Sequence, residues 1–316
     1  MKKIIINNLL ITLIFFFIFE IFLRFFGLAD LRGHGKELRE KQKNVETVVF
    51  GKKVFLDKYG YRIPNEKYIY DKNKIIFIGD SVLFGSGVKY EDTFVGKLKK
   101  KYDNKSFINA AIIGNDISEN SFDIKKNYEL FNSNNFFIIL TLDDIASKES
   151  QPSKNDIKKE NRSLFAKLRE NYLLNKINLF LRTKSYTYLW IKGITTKPSK
   201  RYFYESLESY KIDKEINFLN SKLNDIKIYQ NNNNLNIKFI ILPYEYQTRH
   251  HCKSKLMIPQ EKILDLLEKN KLEYINLTEI FCNHPKPKIL YLNFDPVHLS
   301  KNGHQLVYES IKDNFK

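Results

Sequence analysis

The chain has 316 residues, 43% of them hydrophobic, which is enough for a sizeable core in one large domain or two small ones. Its 53 basic and 36 acidic residues give a net charge of +17, which would favour nucleic acid or anionic lipid as a partner. However, the lysines are scattered, no nucleic-acid-binding motif is present, and a coding bias toward Asn, Ile and Lys also explains the charge. Nucleic acid is therefore not expected as a partner.

The amino-terminal segment predicts a transmembrane anchor at residues 1–26. The apolar run Ile4–Phe26 has the length of a bilayer-spanning helix, about 20 residues. It is longer than the apolar core of a cleaved signal peptide, about 7–15 residues. Glu20 and Arg24 are four residues apart and can pair near the far end of the span. A signal peptide cleaved near Gly27-Leu28-Ala29 and a buried helix of a soluble domain are the alternatives.

Residues 27–72 predict a basic, polar stalk that contains one small structured piece. The stretch "TVVFGKKVFLDKYGYRIP" alternates apolar residues around Gly51-Lys52 and then turns at Tyr59-Gly60. This pattern is typical of a short β-hairpin.

From residue 73 onward, short apolar runs alternate with helical patterns. The predicted strands are "KIIFIGD" (74–80), "SFINA" (106–110), "FFIILTL" (136–142), "NIKFIILP" (236–243) and "LEYINLT" (272–278). The predicted helices follow the cap at Asp92-Thr93, begin near Ser118, cover "QEKILDLLEKN", and follow the cap at Ser300. Strands that alternate with helices indicate a doubly wound α/β sheet, here over residues 73–316.

A long insertion, residues 147–202, separates the third and fourth predicted strands. Leu173, Ile177, Phe180 and Leu181 recur at helical spacing in it. A helical cap over the active face is one interpretation, because ligands bind outside the carboxyl ends of parallel strands. A helical elaboration packed elsewhere is the other.

Two motifs predict a serine nucleophile and its partners. Gly79-Asp80-Ser81 follows the first strand of the sheet, and Asp295 and His298 lie just before the last helix. A serine hydroxyl needs an adjacent base, and the base needs a third group to orient it. Both motifs are expected at the carboxyl edge of the sheet, so Ser81, His298 and Asp295 are the candidate catalytic residues.

These motifs resemble those of the SGNH (GDSL-type) hydrolases. The resemblance rests on Gly79-Asp80-Ser81, the Gly114 turn and Asp295-Pro296-Val297-His298, and it covers about residues 73–146 and 236–316. It implies a flavodoxin-like three-layer α/β/α fold with a parallel sheet. It also implies hydrolysis of an ester, or acyl transfer, without a metal or organic cofactor.

The resemblance assigns roles by position. Ser81 is the nucleophile and supplies one backbone N–H to the oxyanion, Gly114 supplies a second, His298 is the base and Asp295 its partner. The family places an oxyanion-donating asparagine where "LTLDD" has Asp143, and an ionised carboxylate cannot donate. Three interpretations are open: Asp143 is protonated, another donor such as Asn115 replaces it, or the activity is weak.

The substrate and location follow from the resemblance. Membrane-anchored members act outside the cytoplasm on acyl groups of envelope glycans. We therefore expect removal or transfer of an O-acyl (acetyl) group on an envelope saccharide at the bacterial inner membrane, with a periplasmic catalytic domain. Charge alone leaves the orientation open, because Lys2 and Lys3 oppose Arg24, Arg32 and Lys36. A membrane-lipid lipase or thioesterase and a catalytically weak glycan-binding or assembly subunit are the alternatives.

The two cysteines predict a disulfide. Cys252 follows the fourth strand and Cys282 the fifth, so both loops leave the same edge of the sheet. An oxidising compartment favours their pairing, whereas two unpaired thiols are the alternative. The nearby His250, His251 and His284 lack the compact spacing of zinc ligands, so no metal site is predicted.

Overall fold

The computed structural model describes residues 2–65, 67–70, 73–145 and 172–316. The helices and strands, in chain order, are α1 Lys2–Phe26, α2 Lys36–Arg39, β1 Val45–Val49, β2 Lys52–Leu56, β3 Arg62–Ile63, β4 Asn73–Ile78, α3 Ser81–Phe84, α4 Phe94–Lys101, β5 Lys105–Asn109, α5 Ile117–Phe131, β6 Asn135–Leu140, α6 Tyr172–Lys184, α7 Tyr186–Thr196, α8 Pro198–Ser209, α9 Asp213–Asn232, β7 Asn236–Ile241, α10 Glu245–Arg249, α11 Ile258–Lys269, β8 Glu273–Asn276, α12 Thr278–Cys282 and α13 Lys301–Ile311.

The strands form one sheet in the order β1-β2-β3-β5-β4-β6-β7-β8. Strands β4 to β8 are parallel, and Ile76 of β4 pairs with Ile108 of β5 and Phe136 of β6. Counted along the chain, these five strands have the order 2-1-3-4-5, which is that of flavodoxin-like folds. The prediction of an α/β fold with a parallel sheet is confirmed.

Helices cover both faces of the parallel sheet, which is why its central strands are apolar on both sides. Phe77 of β4 packs against Phe94 of α4, and α4 in turn contacts α13. The neighbouring Ile76 and Ile78 point to the opposite face, where α5 packs on β4 and α9 contacts both α5 and α11. The arrangement has three layers, with the core on either side of the sheet.

Within the segment predicted as a stalk, residues 27–72, three strands between Val45 and Ile63 belong to the sheet in the structure. Strands β1 and β2 form the predicted hairpin around Gly51-Lys52, and β3 joins the hairpin to β5 through the antiparallel pair Arg62–Asn109. An isolated hairpin is only marginally stable, so it gains stability by extending a sheet and burying one face. The predicted boundary at residue 72 lies outside the described residues.

The long helix α1 stands apart from the domain over most of its length. Within Lys3–Phe26, the most apolar stretch of 18 residues has a mean hydropathy of 2.5, and only 6% of that stretch is buried. By length and composition this helix can cross a membrane or serve as a signal sequence. Of the predicted insertion at 147–202, residues 147–171 lie outside the described residues, and the remainder forms α6, α7 and the start of α8.

Candidate active site

Ser81 lies at the carboxyl end of β4, where α3 begins. The carboxylate of Asp80 caps this helix by accepting a hydrogen bond from the Val82 N–H at 2.9 Å. Gly79 allows the tight approach of β6, because a Cβ there would lie 3.2 Å from the Cβ of Ile139. The serine is therefore held beside the point where the strand order reverses between β4 and β6, the usual ligand site of such sheets.

The structure brings together the three predicted catalytic residues in one hydrogen-bonded chain. The Nε2 atom of His298 lies 2.9 Å from the Ser81 Oγ. Its Nδ1 atom lies 2.8 Å from Oδ2 and 3.0 Å from Oδ1 of Asp295. Asp295 also accepts hydrogen bonds from the backbone N–H groups of Val297 and His298 at 2.9 and 2.7 Å. These bonds close the residues from Asp295 to His298 into a tight turn.

The charge of Asp295 is stabilised by its surroundings. Burial alone would raise the pKa of this carboxyl, but the positive charge of Arg32 and the contacts with His298 hold the pKa well below its usual range. Asp295 is therefore ionised at neutral pH. An ionised carboxylate on Nδ1 fixes the ring orientation that turns Nε2 toward the serine.

Two residues of the predicted stalk contact the triad, and the sequence analysis missed both. The Arg32 guanidinium donates to Asp295 Oδ2 and, at 2.8 Å, to the Asn293 carbonyl. The ring of Phe50 meets His298 edge-on with ring centroids 5.0 Å apart, and the Arg32 guanidinium lies over the same ring. Nothing in the local pattern of this polar segment indicated a partner so distant in sequence.

Arg62 of β3 fixes the loop that follows the serine. Its buried guanidinium donates three hydrogen bonds of 2.7 Å, to the carbonyls of Phe84, Gly85 and Val88. Burial lowers the pKa of Arg62 to about 10, so the group stays charged at neutral pH. Strand β3 thereby positions the end of α3.

The two predicted backbone donors of the oxyanion site lie on neighbouring loops. Gly114 has φ +86°, a left-handed conformation that favours glycine, and a Cβ there would meet nothing within 4 Å. Its loop runs beside the strand of Ser81, because the Ile112 N–H donates to the Gly79 carbonyl at 3.0 Å. The alternative donor Asn115 is engaged elsewhere, since its amide donates to Asp123 at 2.7 Å.

Asp143 is surrounded by hydroxyl groups. Both of its carboxylate oxygens accept hydrogen bonds, from Tyr202 at 2.8 Å, from Thr141 at 3.0 Å and from Tyr244. Burial and then the nearby Asp143 raise the pKa of Tyr202 above its ordinary value. Burial and Asp143 likewise raise the pKa of Asp80 to about 6. The side chain at this position thus acts as an acceptor in the structure.

The described part of the insertion contacts the loop that carries Asp295 and His298. This contact supports the interpretation that the insertion caps the carboxyl edge of the sheet. Gly193 of α7 is packed so closely that a Cβ would lie 2.2 Å from the ring of Phe294, the neighbour of Asp295. Ser199 of α8 donates to the Asp295 carbonyl at 3.5 Å. Tyr202, also on α8, reaches Asp143.

The structure joins Cys252 and Cys282 in a disulfide, with Cα atoms 5.7 Å apart. The loop after β7 that leads to Cys252 also contacts the catalytic loop, because the Glu245 N–H donates to the Pro296 carbonyl at 2.9 Å. Across the residues that the structure describes, no group of three or more His, Cys, Asp or Glu side chains forms a candidate metal site.

No known family model matches the chain, and no curated protein matches its sequence. Among solved structures it is similar to the lipase/acylhydrolase from Enterococcus faecalis, with 13% identity, a TM-score of 0.41 and coverage of 77% of this chain and 97% of that chain. It is also similar to a member of the lipolytic protein G-D-S-L family from Veillonella parvula DSM 2008, with 14% identity, a TM-score of 0.38 and coverage of 77% and 97%. A catalytic mutant of an acetylxylan esterase from Geobacillus stearothermophilus gives 14% identity, a TM-score of 0.45 and coverage of 78% and 97%. In the two motifs that carry Ser81, Asp295 and His298, the chain resembles the SGNH (GDSL-type) hydrolases.

Proposed function

We propose that the chain is a serine esterase that hydrolyses or transfers an acyl group through Ser81. The observation that carries the proposal is the hydrogen-bonded chain Ser81–His298–Asp295, with its carboxylate kept ionised by Arg32. Only the carboxylate of this chain is fully buried, whereas Ser81 and His298 remain partly exposed at the carboxyl edge of the sheet. A serine–imidazole–carboxylate chain of this kind activates a hydroxyl as a nucleophile.

The geometry supports a two-step reaction. His298 Nε2 takes the proton of Ser81, and Oγ attacks the carbonyl carbon of the ester to form a tetrahedral oxyanion. The N–H groups of Ser81 and Gly114 stabilise this oxyanion. As the bond to the alcohol breaks, His298 returns its proton to the departing oxygen and an acyl-serine remains. Water then releases the acid in hydrolysis, or an acceptor hydroxyl takes the acyl group in transfer.

The proposed site has an acceptor where a third oxyanion donor would be expected. Asp143 accepts hydroxyl hydrogen bonds and, while ionised, has no hydrogen to donate. Loss of one such donor lowers turnover by about 10²–10³-fold in a well-studied case. We therefore expect modest turnover, carried by the two backbone donors.

The proposed substrate is an O-acyl, in the first instance O-acetyl, group of an envelope saccharide. Support comes from the apolar helix α1 and from the resemblance to hydrolases whose anchored members act on envelope glycans. The proposed location is the bacterial inner membrane, with the amino terminus in the cytoplasm and the domain outside. A disulfide between Cys252 and Cys282 fits an oxidising compartment.

The test uses the full chain in lipid nanodiscs with a short-chain aryl ester. We expect turnover that is lost in Ser81→Ala and kept in Ser254→Ala, a control at an exposed serine away from the site. A fluorophosphonate probe should label Ser81. Labelling of a different serine, or turnover that survives Ser81→Ala, contradicts the assignment, and glycan binding without turnover would support a binding subunit.

A further inference from the structure

The carboxyl-terminal end of α1 is docked on the corner between α6 and α7. The Glu20 carboxylate accepts the N–H groups of Tyr186 and Thr187 at 2.9 and 2.8 Å, and so caps the amino terminus of α7. Arg24 donates to the Lys184 carbonyl at 3.2 Å. One turn earlier, Phe19 meets Trp190 edge-on with ring centroids 5.3 Å apart. Glu20 and Arg24, the two charged residues in the second half of α1, thus hold the α6–α7 corner against that helix.

The position of this contact along α1 gives its depth in a bilayer. Glu20 lies about 18 residues after Lys2, or about 27 Å along the helix at a rise of about 1.5 Å per residue. The hydrocarbon core of a bilayer is about 30 Å thick. If Lys2 and Lys3 lie at one surface, the α6–α7 corner therefore lies at the opposite surface, where α1 leaves the lipid.

Both helices at this corner expose large apolar side chains. Ile177 and Phe180 of α6 are 45% and 63% exposed, and Ile191 and Ile194 of α7 are 41% and 45% exposed. Each pair has a spacing of three residues, so each pair lies on one helix face. Apolar faces of this kind are unfavourable in water, and amphipathic helices bury them in the headgroup region of a bilayer. Helix α7 contacts α1, most of whose apolar side chains are exposed as well.

The same hairpin contacts the catalytic loop. Gly193 of α7 packs on Phe294, next to Asp295, and the following helix α8 contributes Ser199 and Tyr202 to the site. Ile194, an exposed apolar side chain, directly follows Gly193 in the sequence. The loop that carries Asp295 and His298 therefore lies next to the helices that contact the carboxyl-terminal end of α1.

From this arrangement we infer that the α6–α7 hairpin lies in the headgroup region of the membrane that α1 crosses, and that the substrate is an amphiphile. Its apolar part stays in the bilayer, and its polar headgroup presents the ester to Ser81. The inference about the substrate rests on the proposed esterase function, whereas the inference about the hairpin does not. The net charge of +17 would favour a surface of anionic lipid.

The first experiment measures contact with lipid and needs no catalysis. Trp190 is the only tryptophan of the chain, so its fluorescence in nanodiscs with brominated acyl chains reports bilayer contact at α7. Phe180→Trp in a Trp190→Phe background reports on α6. Ile69→Trp in the same background is the control, since Ile69 is 73% exposed just before β4, at the opposite end of the strands from Ser81. We expect strong quenching at positions 190 and 180 and none at 69. Equal quenching at all three positions, or none at 180, overturns the placement of the hairpin.

The second experiment compares two forms of one ester, a soluble short-chain aryl ester and the same acyl group on a lipid headgroup in the nanodisc. The double variant Phe180→Ser, Ile194→Ser should lower turnover of the lipid-borne ester by about tenfold, equivalent to about 1.4 kcal/mol, and leave the soluble ester unchanged. An equal fall for both esters, or a fall for neither, overturns the inference about the substrate. If the native chain hydrolyses neither ester and Ser81 does not react with the fluorophosphonate, the esterase function fails, while quenching still decides the position of the hairpin.

Discussion

Replacement of Arg32 by methionine tests whether the segment that follows α1 belongs to the proposed catalytic site. The guanidinium and the Asp295 carboxylate form an ion pair in which the two side chains are only 10% and 5% exposed. Arg32→Met keeps an apolar stem of similar length and removes the charge and both hydrogen bonds. The remaining partners of Asp295 are His298 and two backbone N–H groups.

The loss of stability in Arg32→Met, and its dependence on pH, follow from the burial and charge of the Arg32–Asp295 pair. Removal of one partner of a buried ion pair costs about 3–5 kcal/mol, because the other charge is left without compensation. The pKa of Asp295 is held below its usual range, so its pairing stabilises the fold above the ordinary carboxyl pKa of about 3.9 and is lost as pH falls toward the lowered value. In Arg32→Met this pKa rises, so near pH 4 the carboxyl accepts a proton and the destabilisation shrinks.

The assay is thermal unfolding of the full chain in nanodiscs at pH 7.5 and near pH 4, together with ester turnover. At about 2–4 °C per kcal/mol for a large domain, Tm should fall by roughly 6–20 °C at pH 7.5 and by less near pH 4. Turnover at pH 7.5 should fall by about 10–100-fold as Asp295 loses its fixed orientation. Arg201→Met is the control, because its pair with Glu205 is about half exposed and contributes little. An unchanged Tm would refute the ion pair, and an equal fall at both pH values would mean that packing, and not charge, accounts for the effect.

The remaining predictions concern the triad, the oxyanion site, the disulfide and the topology. Ser81→Ala and His298→Ala should each lower turnover by at least about 10³-fold. The double variant should have about the same turnover as either single variant, because the residues act as one unit. Additive losses in single-turnover assays would contradict this. Asp143→Asn should raise turnover by about tenfold or more by supplying a donor to the oxyanion, and an unchanged rate and pH profile would place residue 143 outside the site. Cys252→Ser and Cys282→Ser should each lower the free energy of unfolding by roughly 3–4 kcal/mol, the loop-closure value for a disulfide of this span, and two reactive thiols before reduction would exclude the bond. A carboxyl-terminal fusion should give activity only with a reporter that works outside the cytoplasm, and activity of a cytoplasmic reporter would reverse the orientation.

The parts of this molecule that the sequence predicted well are those with local signals. The strand β4 is a short apolar run closed by Gly79. Helices α4 and α13 are capped by the preceding residues Thr93 and Ser300, whose hydroxyls accept backbone N–H groups. Parallel strands bring their carboxyl ends to one edge, so a serine after the first strand and an acid and base before the last helix were expected to meet. In the structure, Ser81 and His298 lie in hydrogen-bond contact.

The parts that were missed depend on contacts between distant segments. Arg32 and Asp295 are 263 residues apart, and Arg62 bonds carbonyls more than 20 residues away. A basic residue in a polar stretch looks the same whether it is solvated or buried against a carboxylate. The hairpin β1–β2 was recognised, but its alternation of apolar residues could not show which edge strand it would join. The packing of α7 on α1 could not be predicted, because the apolar pattern of neither helix identifies the other as its partner.

The contacts around Asn293 join the end of α1 to the loop that carries Asp295 and His298. The Asn293 amide donates to the Gly27 carbonyl at 2.8 Å, and its backbone N–H donates to Asp30 at 2.7 Å. Arg32, two residues further on, bonds both Asn293 and Asp295. The chain therefore passes from the end of α1 directly into contacts with the triad. A soluble fragment that begins after Arg32 would keep Ser81, His298 and Asp295 but would leave a buried carboxylate without its cation. Low activity of such a fragment would thus reflect the missing cation, and the chemistry of the site must be measured on the full chain.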